Sequence, residues 1–148
     1  MSDHKHWYDD VATPALLGAA RHAYVTAIRA RLADGGMDDI PRTGAALIGR
    51  IARNGSPRDV GGALRISKQA ASQLVDTLVA RGYVERRPDD EDRRRMSVEL
   101  TGRGQAAAQE ISEAVDEVDA QLAEHVTPAQ LQSARAVLGA LCDLGGEA

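Results

Sequence analysis

The sequence contains no phenylalanine, and aromatic residues make up only 3% of its 148 residues. Its hydrophobic content is nevertheless 43%, which is ordinary for a globular protein, so the core has to be built from Leu, Val, Ile and Ala. Such aliphatic side chains suit helices that pack on other helices. The scarcity of aromatic residues therefore favours a mainly helical fold.

Cysteine is almost absent as well. The single residue, Cys142, excludes an intrachain disulfide, and its position in the apolar phase of the last helix predicts that it is packed. The N-terminal ten residues are polar, and no apolar run approaches the length of a membrane span. We therefore expect a cytoplasmic protein with no membrane partner and no cofactor. His4 and His6 alone are too few to predict a metal site.

Charge is distributed unevenly along the chain, whose net charge is −4. The segment 81–95 is rich in arginine, whereas 110–124 carries six acidic residues and no Lys or Arg. Because DNA binding depends on the local field and not on the net charge, an acidic total does not exclude it.

Hydrophobic periodicity and capping signals predict six helices and one β-hairpin in the order ααααββαα. Predicted helix starts are Thr13-Pro14, Ser56-Pro57, Ser67, Thr101 and Thr127-Pro128, and the strands are 83–87 and 96–100. Within the single chain 1–148, residues 38–100 are expected to form one lobe. Residues 10–36 and 101–146 are expected to form a second, helical lobe.

The helix capped by Ser67 has one polar face. Lys68, Gln69, Ser72 and Gln73 lie opposite the apolar set of this helix. Gln can bridge the N6 and N7 atoms of adenine and Lys can donate to guanine, so these residues suit the major groove. A plain amphipathic surface helix has the same pattern. The short helix before it and the basic hairpin after it favour insertion into DNA, with Ser67 as a further predicted DNA contact.

The hairpin tip carries Arg93, Arg94 and Arg95, and a guanidinium there can enter a narrow minor groove. Asp92 is predicted to pair with Arg94 and to orient its guanidinium. The alternative is a solvated charged loop, which most charge runs are. Helix and hairpin together indicate a winged helix-turn-helix.

The segments Val84–Pro88, Asp92–Arg94 and Leu100–Thr101 resemble the wing of the MarR (multiple antibiotic resistance regulator) family, and the order of elements resembles its whole fold. The resemblance implies a homodimeric transcription regulator, usually a repressor, that small aromatic or anionic ligands or oxidation release from DNA. It also implies that Lys68, Gln69, Ser72 and Gln73 contact the major groove, and that Arg94 enters the minor groove.

The sequence departs from the family pattern at three points. Arg65 stands in the turn where a glycine is common, which costs about 1–2 kcal/mol if the backbone is left-handed there. Gly61-Gly62 replaces better helix formers in the short helix. Thr77 occupies a position where an arginine often contacts phosphate.

The first helix and the last two carry apolar stripes at helical spacing. These helices are longer than a small DNA-binding lobe needs to bury its own apolar core. An internal three-helix bundle and a two-fold dimer interface both satisfy this pattern, and we favour the dimer. Such a dimer would place two recognition helices about 34 Å apart on a pseudo-palindromic operator in double-stranded DNA.

A small-molecule effector is expected in the crevice between the two lobes. The candidate lining residues are His22, Tyr24, Ile51, Ser72 and Arg86, with Ser72 and Arg86 holding a carboxylate.

Enzymatic activity is not expected, because the sequence offers no nucleophile–base pair, metal set or phosphate loop. The function predicted is a sequence-specific DNA-binding transcriptional regulator, a homodimeric repressor released by a small molecule. The alternative is a winged-helix protein–protein adaptor, although an adaptor needs neither the tip arginines nor the polar helix face.

Overall fold

A computed structural model describes residues 5–145 and confirms the mainly helical fold with its small β-hairpin. The elements are α1 (Thr13–Asp34), α2 (Arg42–Asn54), α3 (Val60–Leu64), α4 (Lys68–Ala80), β1 (Val84–Pro88), β2 (Met96–Leu100), α5 (Gly102–Ala123) and α6 (Pro128–Leu144). The strands pair antiparallel, with Val84 opposite Leu100 and Pro88 opposite Met96. His4 and residue 146 lie outside the described residues.

Three of the five predicted helix starts are capped as expected. The hydroxyls of Ser67, Thr101 and Thr127 each accept a hydrogen bond from the backbone amide three residues later. Two starts are wrong. Thr13 is already the first helical residue and caps nothing, while Ser56 precedes α3 by four residues. The Ser56 hydroxyl instead accepts from the amide of Val98, so it ties the α2–α3 loop to the hairpin.

One aliphatic core joins α1, α2, α4, the hairpin and α5. Its most deeply buried side chains are those of Tyr83, Leu47, Ile48, Leu78 and Val84. Tyr83 is the only aromatic residue among the buried hydrophobic side chains of residues 5–145, and the rest are aliphatic apart from Met37. This composition agrees with the expectation that followed from the missing phenylalanines.

Helices α1 and α5 pack along one another and are joined by charged groups. The guanidinium of Arg31 contacts three carboxylates of α5, at 2.9 Å for Glu110 and 2.5 Å for Glu117, with Glu113 also bound. Two turns nearer the N-terminus of α1, the hydroxyl of Tyr24 donates to Asp119 over 2.5 Å. The acidic segment that lacks Lys and Arg therefore finds its counter-charge on α1.

Helix α6 lies outside the core. No residue of α6 is buried, and Val137, Leu138 and Leu141 are 59%, 44% and 39% exposed. The internal three-helix bundle that the sequence leaves open is therefore not formed within this chain. Cys142 is exposed along with the rest of the helix, so the prediction that it is packed is wrong for the isolated chain. None of the helices in residues 5–145 is both long and apolar enough to span a membrane.

Candidate nucleic-acid interface

The polar face of α4 is open to solvent along its first two turns. Ser67, Lys68, Gln69, Ser72 and Gln73 are all exposed, while the opposite face buries aliphatic side chains in the core. No ion pair or side-chain hydrogen bond holds Lys68, Gln69 or Gln73 within the part of the chain that the structure describes. Their donors and acceptors are therefore available to a partner molecule.

The turn that leads into α4 is tight. Arg65 has φ 55° and ψ 43°, which is the left-handed conformation considered above for this turn. About 1–2 kcal/mol of strain is therefore stored there. The amide of Ile66 donates to the carbonyl of Gly61, and a Cβ on Gly61 would stand 3.1 Å from the Ile66 carbonyl. A glycine at 61 thus lets α3 approach the turn closely, which sets the angle at which α4 leaves it.

The main chain of the wing tip, residues 89–95, is organised by two aspartates. The carboxylate of Asp89 accepts from the amides of Glu91 and Asp92, and these bonds lower its pKa. The carboxylate of Asp92 accepts from the backbone amide of Arg94 over 3.1 Å. This contact differs from the expected pairing, because Asp92 holds the main chain of Arg94 and not its guanidinium.

The three tip arginines are not equivalent. Arg93 and Arg94 are exposed, and neither guanidinium has a partner among residues 5–145. Arg95 instead turns back and donates to the carbonyl of Arg58 over 3.2 Å, and Arg58 lies 3.7 Å from Glu91. The wing tip is thus anchored to the α2–α3 loop, while Arg93 and Arg94 extend from it.

The five residues predicted to line an effector site make separate contacts in the described chain. Tyr24 is bonded to Asp119, His22 faces Thr26 on α1, and Ile51 belongs to the core. Ser72 is exposed on α4. Arg86 pairs with Asp76, one turn beyond Ser72, at 2.5 Å. Helical spacing alone does not show which residues of different elements face one another, so an effector site at these five residues stays a prediction.

A cavity of about 240 Å³ lies between α1, α2 and α5 instead. Apolar residues form part of its lining, among them Val25, Ile28 and Ile111. Four arginines also line it, namely Arg21, Arg29, Arg42 and Arg53. None of the four has a carboxylate partner among the described residues, so the cavity is apolar inside and positively charged around it. The sequence shows these arginines only as scattered polar positions.

Three comparisons with known proteins bear on these observations. Residues 38–95 match the family model described as MarR family. That segment contains the α2–α3 loop, α4 and the wing tip described above. A comparison with curated proteins gives no match.

Solved MarR-type structures share the fold of nearly the whole chain. A MarR family regulator from Silicibacter pomeroyi superposes with a TM-score of 0.75 at 24% identity, covering 93% of this chain and 92% of that one. Wild-type MarR from E. coli in its apo form gives 0.64 at 20% identity, with 88% and 97% covered. NadR in complex with 4-hydroxyphenylacetate gives 0.70 at 24% identity, with 93% and 96% covered. The MarR fold therefore extends over α1, α5 and α6 as well.

Proposed function

We propose that this protein is a sequence-specific, double-stranded DNA-binding regulator of transcription, a homodimeric repressor that a small anionic effector releases. The observation that carries the proposal is the unpaired basic and polar surface of α4 and the wing tip. No partner among residues 5–145 is bound by the side chains of Lys68, Gln69 and Gln73 on the helix, or of Arg93 and Arg94 on the tip. Neither a solvated loop nor an ordinary surface helix requires both features at once.

The two parts of this surface suit the two grooves. The polar face of α4 offers the amide groups of Gln69 and Gln73, which can bridge adenine in the major groove. Arg93 and Arg94 extend from the tip of a two-stranded hairpin and suit the minor groove, where guanidinium groups are attracted by the strong negative potential of A·T tracts. Asp89 and Asp92 hold the tip main chain, so the two arginines are displayed from a preformed turn.

The exposed apolar residues of α6 support a dimer. Val137, Leu138, Leu141 and Leu144 are all exposed, and so are Leu17 of α1 and Leu122 of α5. An apolar area formed by both ends of the chain costs free energy in water and favours association. A second copy is the proposed partner, because closed two-fold pairs are the commonest assemblies and two recognition helices are needed for a pseudo-palindrome.

The cavity between α1, α2 and α5 supports an anionic effector. Its four arginines attract a carboxylate, and its aliphatic lining accepts an apolar body. Both lobes contribute to it, since Arg21 and Arg29 come from α1 and Arg42 and Arg53 from α2. A ligand bound there therefore changes how α1 and α5 hold the DNA-binding lobe. A carboxylate such as 4-hydroxyphenylacetate, compared with its neutral amide, is a suitable probe.

Binding to sheared genomic DNA at increasing salt tests the DNA-binding proposal. Each phosphate contact should add about 0.9 to the slope of log affinity against log salt. A slope equivalent to several contacts is expected. A protein–protein adaptor would show almost no dependence on salt, and this result would reject the proposal. Selection and sequencing of bound fragments would then identify the operator.

A further inference from the structure

Asp76 places a negative charge on the surface that is proposed to face DNA. It follows Gln69 by seven residues, Ser72 by four and Gln73 by three, so all four lie on one side of α4. Asp76 is exposed like the others, and a carboxylate near phosphate groups is repelled. Its position on this face therefore needs an explanation beyond solubility.

The structure supplies a partner for Asp76 on the wing. Its Oδ1 atom lies 2.5 Å from Nη2 of Arg86, which is the third residue of β1. Arg86 stands opposite Val98 in the hairpin and two residues after Val84, so the three share one face of the sheet. Val84 and Val98 are buried against the helices. Arg86 extends this face outward, and its guanidinium lies between the wing and α4.

We propose that Asp76 is a positioning residue, which holds the guanidinium of Arg86 toward the phosphodiester strand that separates the two grooves. This inference depends on the proposed function. A helix in the major groove and a hairpin tip in the adjacent minor groove lie on opposite sides of one DNA strand. A group that joins helix and wing therefore faces the phosphates of that strand. Arg86 is such a group.

The chemistry of the pair fits this role. A guanidinium has five N–H donors, and the contact with Asp76 uses Nη2. The remaining donors are free to bind a phosphate oxygen. Arg86 keeps 38% of its side-chain surface exposed, so a phosphate can reach it. Fixing the long side chain before DNA arrives also removes part of the entropy cost of ordering it on binding.

The test is the affinity and salt dependence of operator binding in Asp76→Ala, Arg86→Ala and the double variant. Removing a carboxylate from a DNA-binding surface should raise affinity if the carboxylate only repels phosphate. The positioning role predicts the opposite. We expect Asp76→Ala to weaken binding about three- to tenfold and to lower the salt slope by up to about 0.9. Asp76→Glu, which keeps the charge, should retain most of the affinity.

The double variant separates positioning from an independent effect of Asp76. If Asp76 acts through Arg86, adding Asp76→Ala to Arg86→Ala should cause no further loss. Asp90→Ala is the matched control, because Asp90 is an exposed wing-tip carboxylate with no ion pair among the described residues. Its removal should leave affinity unchanged or raise it. Thermal unfolding of each variant checks that the fold is intact.

Three outcomes would overturn the inference: tighter binding by Asp76→Ala, an unchanged salt slope, or an equal loss in the Arg86→Ala background. If the unmodified protein binds DNA, none of these three outcomes contradicts the proposed function. Absence of salt-dependent DNA binding by the unmodified protein would instead overturn both proposals together.

Discussion

The hydroxyl of Tyr83 donates a hydrogen bond to Oδ1 of Asp39 over 2.5 Å, joining the start of the wing to the α1–α2 loop. Arg103 of α5 completes the contact, with its guanidinium 4.3 Å from the centre of the Tyr83 ring and 3.3 Å from the same carboxylate. Burial and the bond to Asp39 raise the pKa of Tyr83 to about 12. Helix α5 is thereby fixed to both the loop and the wing.

Removing this hydroxyl should destabilise the protein. Tyr83 is fully buried, so Tyr83→Phe leaves the core filled but removes a donor from the Asp39 carboxylate, whose side chain is partly exposed. We expect a loss of about 1–3 kcal/mol in the free energy of unfolding, measured by urea denaturation. Tyr8→Phe is the control, because Tyr8 is 44% exposed. Equal stability of the two variants would contradict the role of the bond.

Acid should weaken the same contact. The hydrogen bond from Tyr83 and the charge of Arg103 lower the pKa of Asp39. A carboxyl whose pKa is lower in the folded state contributes stability above its unfolded pKa of about 3.9, and this contribution is lost as pH falls through the folded pKa. We therefore expect the free energy of unfolding of Asp39→Asn to depend less steeply on pH below about 5 than that of the unmodified protein.

The neighbouring residue provides the comparison for that measurement. Asp38 is exposed and makes no ion pair within residues 5–145, so Asp38→Asn should keep the pH dependence of the unmodified protein. If the stability of Asp39→Asn and Asp38→Asn falls in parallel as pH is lowered, Asp39 is not the source of the acid sensitivity.

Glycine is required at one position where α5 meets the wing. A Cβ on Gly104 would stand 2.0 Å from the carbonyl oxygen of Tyr83, a main-chain atom that cannot move aside cheaply. Gly104→Ala should therefore cost about 3 kcal/mol of stability. Gly102→Ala lies in the same turn, and its Cβ would meet nothing within 4 Å. It should be neutral or stabilising by up to about 1 kcal/mol, because alanine favours helix. Similar melting temperatures for the two variants would contradict the close approach.

Local signals in the sequence predict much of this fold. The serine and threonine caps of α4, α5 and α6 satisfy amides only three residues away, so a short stretch of sequence contains both partners. Ser56 shows the limit. Its pattern is as good as that of Ser67, but its hydroxyl is taken by Val98, which lies 42 residues later. A distant partner that offers a better bond overrides a local preference.

The candidate site follows the same division. The exposed face of α4 follows from helical periodicity alone, and so does the apolar surface of α6. The pairing of Asp76 with Arg86 depends on the angle between the hairpin and the helix, which no local pattern encodes. The role of Asp89 at the wing tip, in contrast, is a local signal. An aspartate that accepts from amides two and three residues later forms a known turn, so the residue type and its position are enough to predict it.

Substitution of Gln69 should change which sequences are bound. The side chain of Gln69 is exposed near the start of α4, where a recognition helix contacts base edges. We expect Gln69→Ala to relax the preference at one base pair of each half-site while total affinity for non-specific DNA stays the same. Parallel selection of bound fragments by both proteins measures this. A uniform loss across all sequences would reassign Gln69 to the DNA backbone.

Substitution of Arg94 should weaken DNA binding without affecting the dimer. The Arg94 guanidinium has no partner in the described chain, and the Asp92 carboxylate fixes its main chain at the wing tip. In the proposed dimer, Arg94→Ala removes a minor-groove contact from both wings. Operator affinity should then fall about ten- to a hundredfold. Arg87→Ala is the matched control, because Glu85 and Glu99 already hold the Arg87 guanidinium, at 2.6 and 3.5 Å. Sedimentation should give the same assembly for both variants, since α6 is far along the chain from the wing. If Arg94→Ala and Arg87→Ala lose affinity equally, the wing acts only through its total charge and the minor-groove contact has to be abandoned.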